Sequence, residues 1–207
     1  MLRFFFVRHG RTSWNAQGRV QGGGGLDEVG RAQAAALGQH LRSEGFDAMY
    51  SSPALRARQT ARAVARHHGM RVSQRYLLHD MNYGKFAGAL LEDVRRDHSD
   101  LFDQWRTHPH LVSFEGGERL SDLRHRISRF VDEMAVRHPS GTILVATHDS
   151  PVRVITSLAR GLNDSHHNDV DLRTSLASIT IVEAAEGSIV LRDHNDVRHL
   201  KGIDDGF

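Results

Sequence analysis

The 207-residue chain contains no cysteine. That excludes a disulfide framework, a thiolate zinc site, an iron–sulfur cluster and a cysteine nucleophile. A cytoplasmic setting fits such a chain. Long hydrophobic runs are missing too: nothing approaches the roughly 18 apolar residues of a membrane span, so no membrane partner is expected. The apolar patch Phe4 to Val7 is halted by Arg8 and His9. It is too short for the apolar region of a signal peptide and reads as a buried strand. Lysine is nearly absent, since Lys85 and Lys201 are the only two among 27 basic residues. Charge of one sign is also lacking: 27 basic against 25 acidic residues leave +2. No dense basic run occurs, so nucleic acid is not an expected partner.

What remains is the composition of a globular protein. Hydrophobic residues make up 39% and charged residues 25%, which argues against disorder and against a fibre. The length fits one domain over 1–207. The basic complement is nearly all arginine, which stays charged and grips phosphate bidentately. Histidine is abundant at 15 residues. Most, such as His67, His68, His108, His110, His166 and His167, read as scattered surface residues. A metal site would need several to converge, and none is expected.

The pattern alternates strand and helix. Leu2 to Val7 and Thr142 to Thr147 read as fully buried strands, and Asp47 to Tyr50 as a shorter one. Val72 to Leu78 reads as extended. Helical spacing runs from Leu26 to Leu41. A second helix starts with Ser52 as N-cap and Pro53 as its first residue and closes at Gly69. Leu90 to Trp105 reads as one helix. Leu120, Leu123, Ile127, Phe130, Val131 and Met134 form the clearest amphipathic stripe. The stripe is read as core, with a homodimer interface as the alternative. Pro151 opens another helix, and Ser178 to Glu183 with Ser188 to Asp193 reads as a terminal antiparallel hairpin. These elements predict an α/β fold, a three-layer α/β/α domain with a mainly parallel sheet. Active sites in such sheets lie at the carboxyl ends of strands, where His9 and His148 fall.

Four short stretches could carry chemistry. Arg8-His9-Gly10 follows the first strand, and the glycine would let backbone approach an anion. Arg56 lies in the first turn of a helix, where anions are favoured. In His148-Asp149, the histidine could contact phosphate or shuttle a proton. Asp149 could orient it, cap the next helix or act as an acid. Asp80 sits in a loop and could protonate a leaving alkoxide.

Together these pieces resemble the histidine phosphatase superfamily. The resemblance rests on Val7 to Asn15, Arg19 to Gly22, Ser52 to Thr60, Gly116-Gly117-Glu118, Val145 to His148 and Asn195 to Leu200, in that order. It implies that His9 is a nucleophile forming a phosphohistidine, and that Arg8, Arg56 and His148 hold the phosphoryl oxygens. Asn15, Gln21, Gly22 and Asp149 are carried over as phosphate- or substrate-contacting positions. The implied reaction is hydrolysis of small phosphorylated metabolites, with no metal or other cofactor.

This chain departs from the family pattern at three places. Asp80 stands where glutamate is usual, one methylene shorter. Asp149 follows His148 where glycine is common, whereas another branch has a histidine–aspartate pair whose aspartate is the proton donor. Asp80 is therefore the favoured donor and Asp149 the alternative. Gly22 to Gly25 and Arg11 replace more usual residues near the substrate mouth, so substrate identity does not transfer. The rival readings are a phosphoglycerate mutase, a phosphoprotein phosphatase and a phospholigand-binding module. The short interval from Lys85 to Glu115 favours water as acceptor over the mutase.

Overall fold

A computed structural model describes residues 1–21, 23–185 and 187–203. The chain order of its main elements is β1 (Leu2–Arg8), α1 (Ser13–Ala16), α2 (Glu28–His40), β2 (Ala48–Ser51), α3 (Leu55–His68) and β3 (Val72–Gln74). Then come α4 (Leu91–Asp97), α5 (Ser99–Thr107), α6 (Leu120–Arg137), β4 (Gly141–Thr147), α7 (Asp149–Ala159), β5 (Ile179–Ala185) and β6 (Ser188–Asp196). The six strands form one sheet in the order β3-β2-β4-β1-β5-β6. The first four are parallel. β5 runs antiparallel to both β1 and β6, so the terminal hairpin extends the sheet.

The strands have apolar side chains on both faces because both faces are covered by helices. In β1, Phe4 and Phe6 join Ile143 and Val145 of β4 on one face, against Leu123, Ile127 and Phe130 of α6 and Ile155 of α7. Phe5, Val7, Met49 and Leu144 point the other way, against Leu37 of α2 and Val64 of α3. The period-two alternation of a strand thus sorts one apolar run into two cores. All six residues of the α6 stripe are buried, so the stripe is core.

Four local expectations change. Ser52 is not a helix cap: α3 begins at Leu55. The backbone N–H of Ser52 still bonds Ala146 O, which keeps it with the sheet. Leu90 to Trp105 is broken at His98 (φ −136°, ψ 47°) into α4 and α5. Val72 to Leu78 is extended only to Gln74, where pairing with β2 stops, and a short 3-10 turn over Tyr76–Leu78 follows. His167 is buried rather than on the surface, with its ring 5.6 Å from that of Trp105.

Removing a buried side chain from the α6 stripe should be costly. Ile127→Ala should lose about 2–5 kcal/mol in urea denaturation, the range for emptying a packed aliphatic site. Val136→Ala on the same helix, where Val136 is 86% exposed, should change stability by no more than ~0.5 kcal/mol.

Candidate active site

Three adjacent strands deliver the central residues. The order β2-β4-β1 sets the carboxyl ends side by side, so Ser52, His148 and His9 emerge next to one another. His9 N donates to Thr147 O at 2.9 Å, which ties the two strand ends together. The His9 and His148 rings then meet edge to face at 5.2 Å.

The glycine after His9 has a different reason than an approaching anion. A Cβ on Gly10 would lie 2.7 Å from Gly30 O in α2. A Cβ on Gly30 would lie 2.0 Å from Arg11 O. Two backbones cross at that point, and side chains would force them apart.

His9 is 2% exposed, and its two nitrogens have distinct partners. Nδ1 lies 2.8 Å from Gly10 O, which can only accept. The proton is therefore on Nδ1. Arg56 Nε donates to Nε2 at 3.1 Å, so Nε2 carries no proton and its lone pair points at that guanidinium. Burial first, then Arg56 and Arg8, hold the imidazole pKa well below its ordinary value. The ring is neutral and nucleophilic at Nε2.

Arg56 enters from the first turn of α3 and Arg8 from the end of β1. Arg56 Nη2 stands 3.4 Å from Asp80 Oδ2. Arg8 donates through Nη1 to Thr174 O and lies 3.6 Å from Asp149 Oδ1. Among the described residues, two buried nitrogens of the cluster have no hydrogen-bond partner: Arg8 Nε and His148 Nδ1.

The two aspartates differ sharply in setting. Asp80 is buried, accepts from Met81 N at 3.0 Å and lies 3.7 Å from His148 Nδ1. Burial raises its carboxyl pKa to about 6, and Arg56 offsets only part of that rise. Asp149 is not the cap of α7 but its first residue. It accepts from Thr174 Oγ1 at 2.8 Å and Arg153 Nε at 2.7 Å. Burial pushes its carboxyl up, but Arg8, Arg153 and Thr174 more than reverse this and hold it at about 2. One acid can carry a proton near neutral pH, and the other stays ionised.

The Asp80 loop is held by residues that the sequence reading did not single out as functional. Arg126 of α6 donates to Leu77 O, His79 O and Asp80 O at 2.7, 2.6 and 2.8 Å. Glu118, from the Gly-Gly-Glu stretch, accepts from Arg126 Nε at 2.8 Å. Thr147 Oγ1 donates to Leu78 O at 2.7 Å. An arginine inside an amphipathic helix offers no local signal of such a role, since its acceptors lie 46 to 49 residues away.

Other expected positions have contacts of their own. Asn15 Oδ1 accepts from Thr12 N and Thr12 Oγ1, closing a capping box on α1. Gln21 (φ 60°) lines a neighbouring cleft together with Tyr83 and Trp105. Gly22 lies outside the described residues. Among the described residues, no group of three or more His, Cys, Asp or Glu is arranged to hold a metal ion. Among them, too, no helix is long and apolar enough to cross a membrane.

Comparison with known proteins gives the family. Residues 4–197 match the histidine phosphatase superfamily (branch 1), and the chain belongs to that family. It is 33% identical to phosphoserine phosphatase 1 of Hydrogenobacter thermophilus, over 79% of this chain and 78% of that one. It is 28% identical to a probable phosphoglycerate mutase of Yersinia enterocolitica, covering 97% and 95% of the two chains. Some curated relatives are longer, and the chain spans as little as 34% of one of them. The solved structure of Bacillus stearothermophilus YhfR superposes with a TM-score of 0.91 at 28% identity, covering 96% of this chain and 99% of that one. Family membership and such relatives class the chain as a phosphatase-type hydrolase.

Ser52 is the residue whose role changes most. Its Oγ accepts from Ala54 N at 3.3 Å and lies 2.8 Å from His148 Nε2. If Ser52 donates its one proton to Nε2, the His148 proton sits on Nδ1, beside the Asp80 carboxyl. The opposite arrangement would leave the hydroxyl proton without an acceptor and put a bare Nδ1 lone pair 3.7 Å from Asp80 Oδ2. The first arrangement satisfies more buried groups. Nitrogen-15 NMR of labelled histidine should therefore show His148 as the Nδ1–H tautomer. Ser52→Ala should mix the tautomers and cost about 1–3 kcal/mol of stability, the penalty of a stranded buried acceptor. An Nε2–H tautomer in the wild type would refute this assignment.

Proposed function

We propose that the chain is a metal-independent phosphomonoesterase that hydrolyses small phosphorylated metabolites through a phosphohistidine on His9. The observation that carries this reading is the pair of buried, unpartnered nitrogens, Arg8 Nε and His148 Nδ1, beside the lone pair of His9 Nε2. Buried donors normally have acceptors. A phosphoryl group at His9 would supply them, and the positive charge of Arg8 and Arg56 would neutralise it.

The steps follow from the protonation states. On substrate binding Arg56 turns its N–H groups from His9 Nε2 to the phosphoryl oxygens, and the freed Nε2 lone pair attacks phosphorus while the ester P–O bond breaks. Asp80 gives its proton to the departing alkoxide, forming the alcohol. The Nδ1–H bond to Gly10 O steadies the positive charge that the phosphorylated ring acquires. Asp80, now ionised, takes a proton from water as the water oxygen attacks phosphorus. The N–P bond breaks, inorganic phosphate leaves, and His9 and Asp80 return to their starting states. Asp149 takes no proton in this scheme. It fixes Arg8, with Arg153 and Thr174 holding it in turn.

The assignment makes the two aspartates separable. Asp80→Asn should lower kcat on an alkyl phosphate by about 100-fold or more and on an aryl phosphate far less, since a good leaving group needs little protonation. Asp149→Asn should raise KM for both esters alike by loosening Arg8. Alkyl turnover should fall as pH rises through about 6, where Asp80 loses its proton, and this limb should vanish in Asp80→Asn. His9→Ala should abolish turnover of both esters. Activity retained in a folded His9→Ala variant would overturn the phosphohistidine route.

A further inference from the structure

Between the 3-10 turn Val170–Leu172 and β5, residues 173–178 belong to no helix or strand. Thr174, Ser175, Leu176, Ala177 and Ser178 are nevertheless all buried. The backbone groups of a buried irregular segment need partners outside any ladder. On one side those partners are Arg8 and His9. Thr174 O accepts from Arg8 Nη1, and Ser178 O accepts from Arg8 N at 3.3 Å. Ala177 N donates to His9 O at 3.2 Å. Thr174 Oγ1 donates to Asp149 Oδ1 at 2.8 Å. The segment thus sets the backbone of His9 and both ends of the Arg8–Asp149 pair.

On its other side the segment is gripped by Asn195 to Leu200, a sequence motif to which the proposed reaction gives no part. Two steps along β5, from Ile179 to Ile181, face three along β6, from Asp196 to Asp193. The extra residue makes a bulge, a device that re-aims a side chain. Asn195 within it has φ 56°, a left-handed conformation that asparagine tolerates better than most residues. Its Oδ1 accepts from Ser175 N at 2.6 Å. His199 follows in the 3-10 turn Arg198–Leu200. Its Nε2 lies 3.0 Å from Ala177 O, which can only accept, so Nε2 carries the proton and donates. The ring stacks at 5.3 Å on that of His40, the last residue of α2. Ala177 itself has φ 58°, which a non-glycine residue keeps only where its surroundings impose it. Its hydrogen bonds to His9 on one side and His199 on the other impose it here.

We propose that Asn195 and His199 are positioning residues for phosphoryl transfer, acting on the reacting groups through the buried segment 174–178. The inference rests on the phosphatase reading and extends its machinery to the end of β6. The two residues serve different steps. Asn195 fixes Ser175 and with it Thr174, whose carbonyl and hydroxyl set Arg8 and Asp149. Loosening that limb weakens the grip on the phosphoryl oxygens in ground and transition state alike, which raises KM. His199 fixes Ala177, which holds one end of the His9–Gly10 peptide. Thr60 Oγ1 holds the other end, accepting from Gly10 N at 3.1 Å. The next carbonyl, Gly10 O, is the one that takes the His9 Nδ1 proton. Loosening this limb misaims the nucleophile, which lowers kcat.

The test is steady-state hydrolysis of p-nitrophenyl phosphate by the purified chain, with inorganic phosphate as inhibitor. Circular dichroism gives the folded fraction of each variant at the assay temperature, to which kcat is referred. Asn195→Gly removes the amide and keeps the left-handed backbone, whereas Asn195→Asp keeps an acceptor for Ser175 N. The glycine variant should raise KM and the inhibition constant of phosphate several-fold with kcat little changed, and the aspartate variant should stay near wild type. His199→Gln places an amide N–H where Nε2 stands, whereas His199→Asn stops short of Ala177 O. The asparagine variant should lower kcat by about 10-fold at nearly unchanged KM, and the glutamine variant should recover most of it. Wild-type constants in Asn195→Gly and His199→Asn would overturn the proposal and leave the phosphatase reading standing. So would losses blind to the hydrogen bond, with each conservative variant as impaired as its counterpart. Losses that only follow the folded fraction would make both residues merely structural and overturn it too. A folded wild type without turnover would instead count against the phosphatase reading, and the inference would fall with it.

Discussion

The active site depends on one hydrogen bond, from Arg56 Nε to His9 Nε2 at 3.1 Å. A guanidinium cannot donate to a protonated nitrogen, so the bond exists only while His9 is neutral with its proton on Nδ1. Gly10 O accepts that proton and fixes the tautomer from the other side. Burial and the two nearby arginines then make protonation of the ring unfavourable. The three causes reinforce one another. The result is an unprotonated nitrogen in a strongly positive surrounding.

That positive surrounding is suited to a doubly charged guest. Arg8, Arg56 and Arg153 are cations, and Asp149 is ionised at about 2 and above. With Asp80 protonated, the cluster carries a net +2, by three positive charges against one negative. A phosphate monoester dianion balances it. When Asp80 loses its proton the excess falls to +1, and the dianion is held less well. In the proposed reaction, proton donation and anion binding would therefore favour the same state of Asp80. The buried Arg8 Nε and His148 Nδ1 show where the anion's oxygens would complete the hydrogen bonding.

The sequence made the frame legible because the frame is local. The runs from Leu2 to Val7 and Thr142 to Thr147 are apolar enough to be strands buried on both faces, and histidines follow them at the end where such sheets bind ligands. The α6 stripe is legible for the same reason, through its helical spacing. Errors appear where a short-range rule competed with a long-range partner. Ser52 has the residue type of a cap, but His148, 96 residues away, engages its hydroxyl. Asp149 has the same look, yet Arg8 and Thr174 hold it from 141 and 25 residues away. Gly10 suggested space for an anion, and the space belongs to Gly30 of α2. The broken helix at His98 carries no proline or glycine to announce it.

The short acid at position 80 shows how delivery of the backbone can replace side-chain length. An aspartate carries its carboxyl one methylene less far from the backbone than a glutamate would, so the placement of its loop matters more. Three carbonyls of residues 77, 79 and 80 are drawn onto the Arg126 guanidinium, and Thr147 Oγ1 binds the carbonyl between them. Glu118 aligns the guanidinium from the far side. The carboxyl still reaches to 3.4 Å from Arg56 and 3.7 Å from His148. A shorter side chain on a clamped backbone has fewer rotamers to lose and stays within the buried layer, where desolvation lifts its pKa. In the proposed reaction, an acid at this position therefore owes its precision to the loop more than to the length of the side chain.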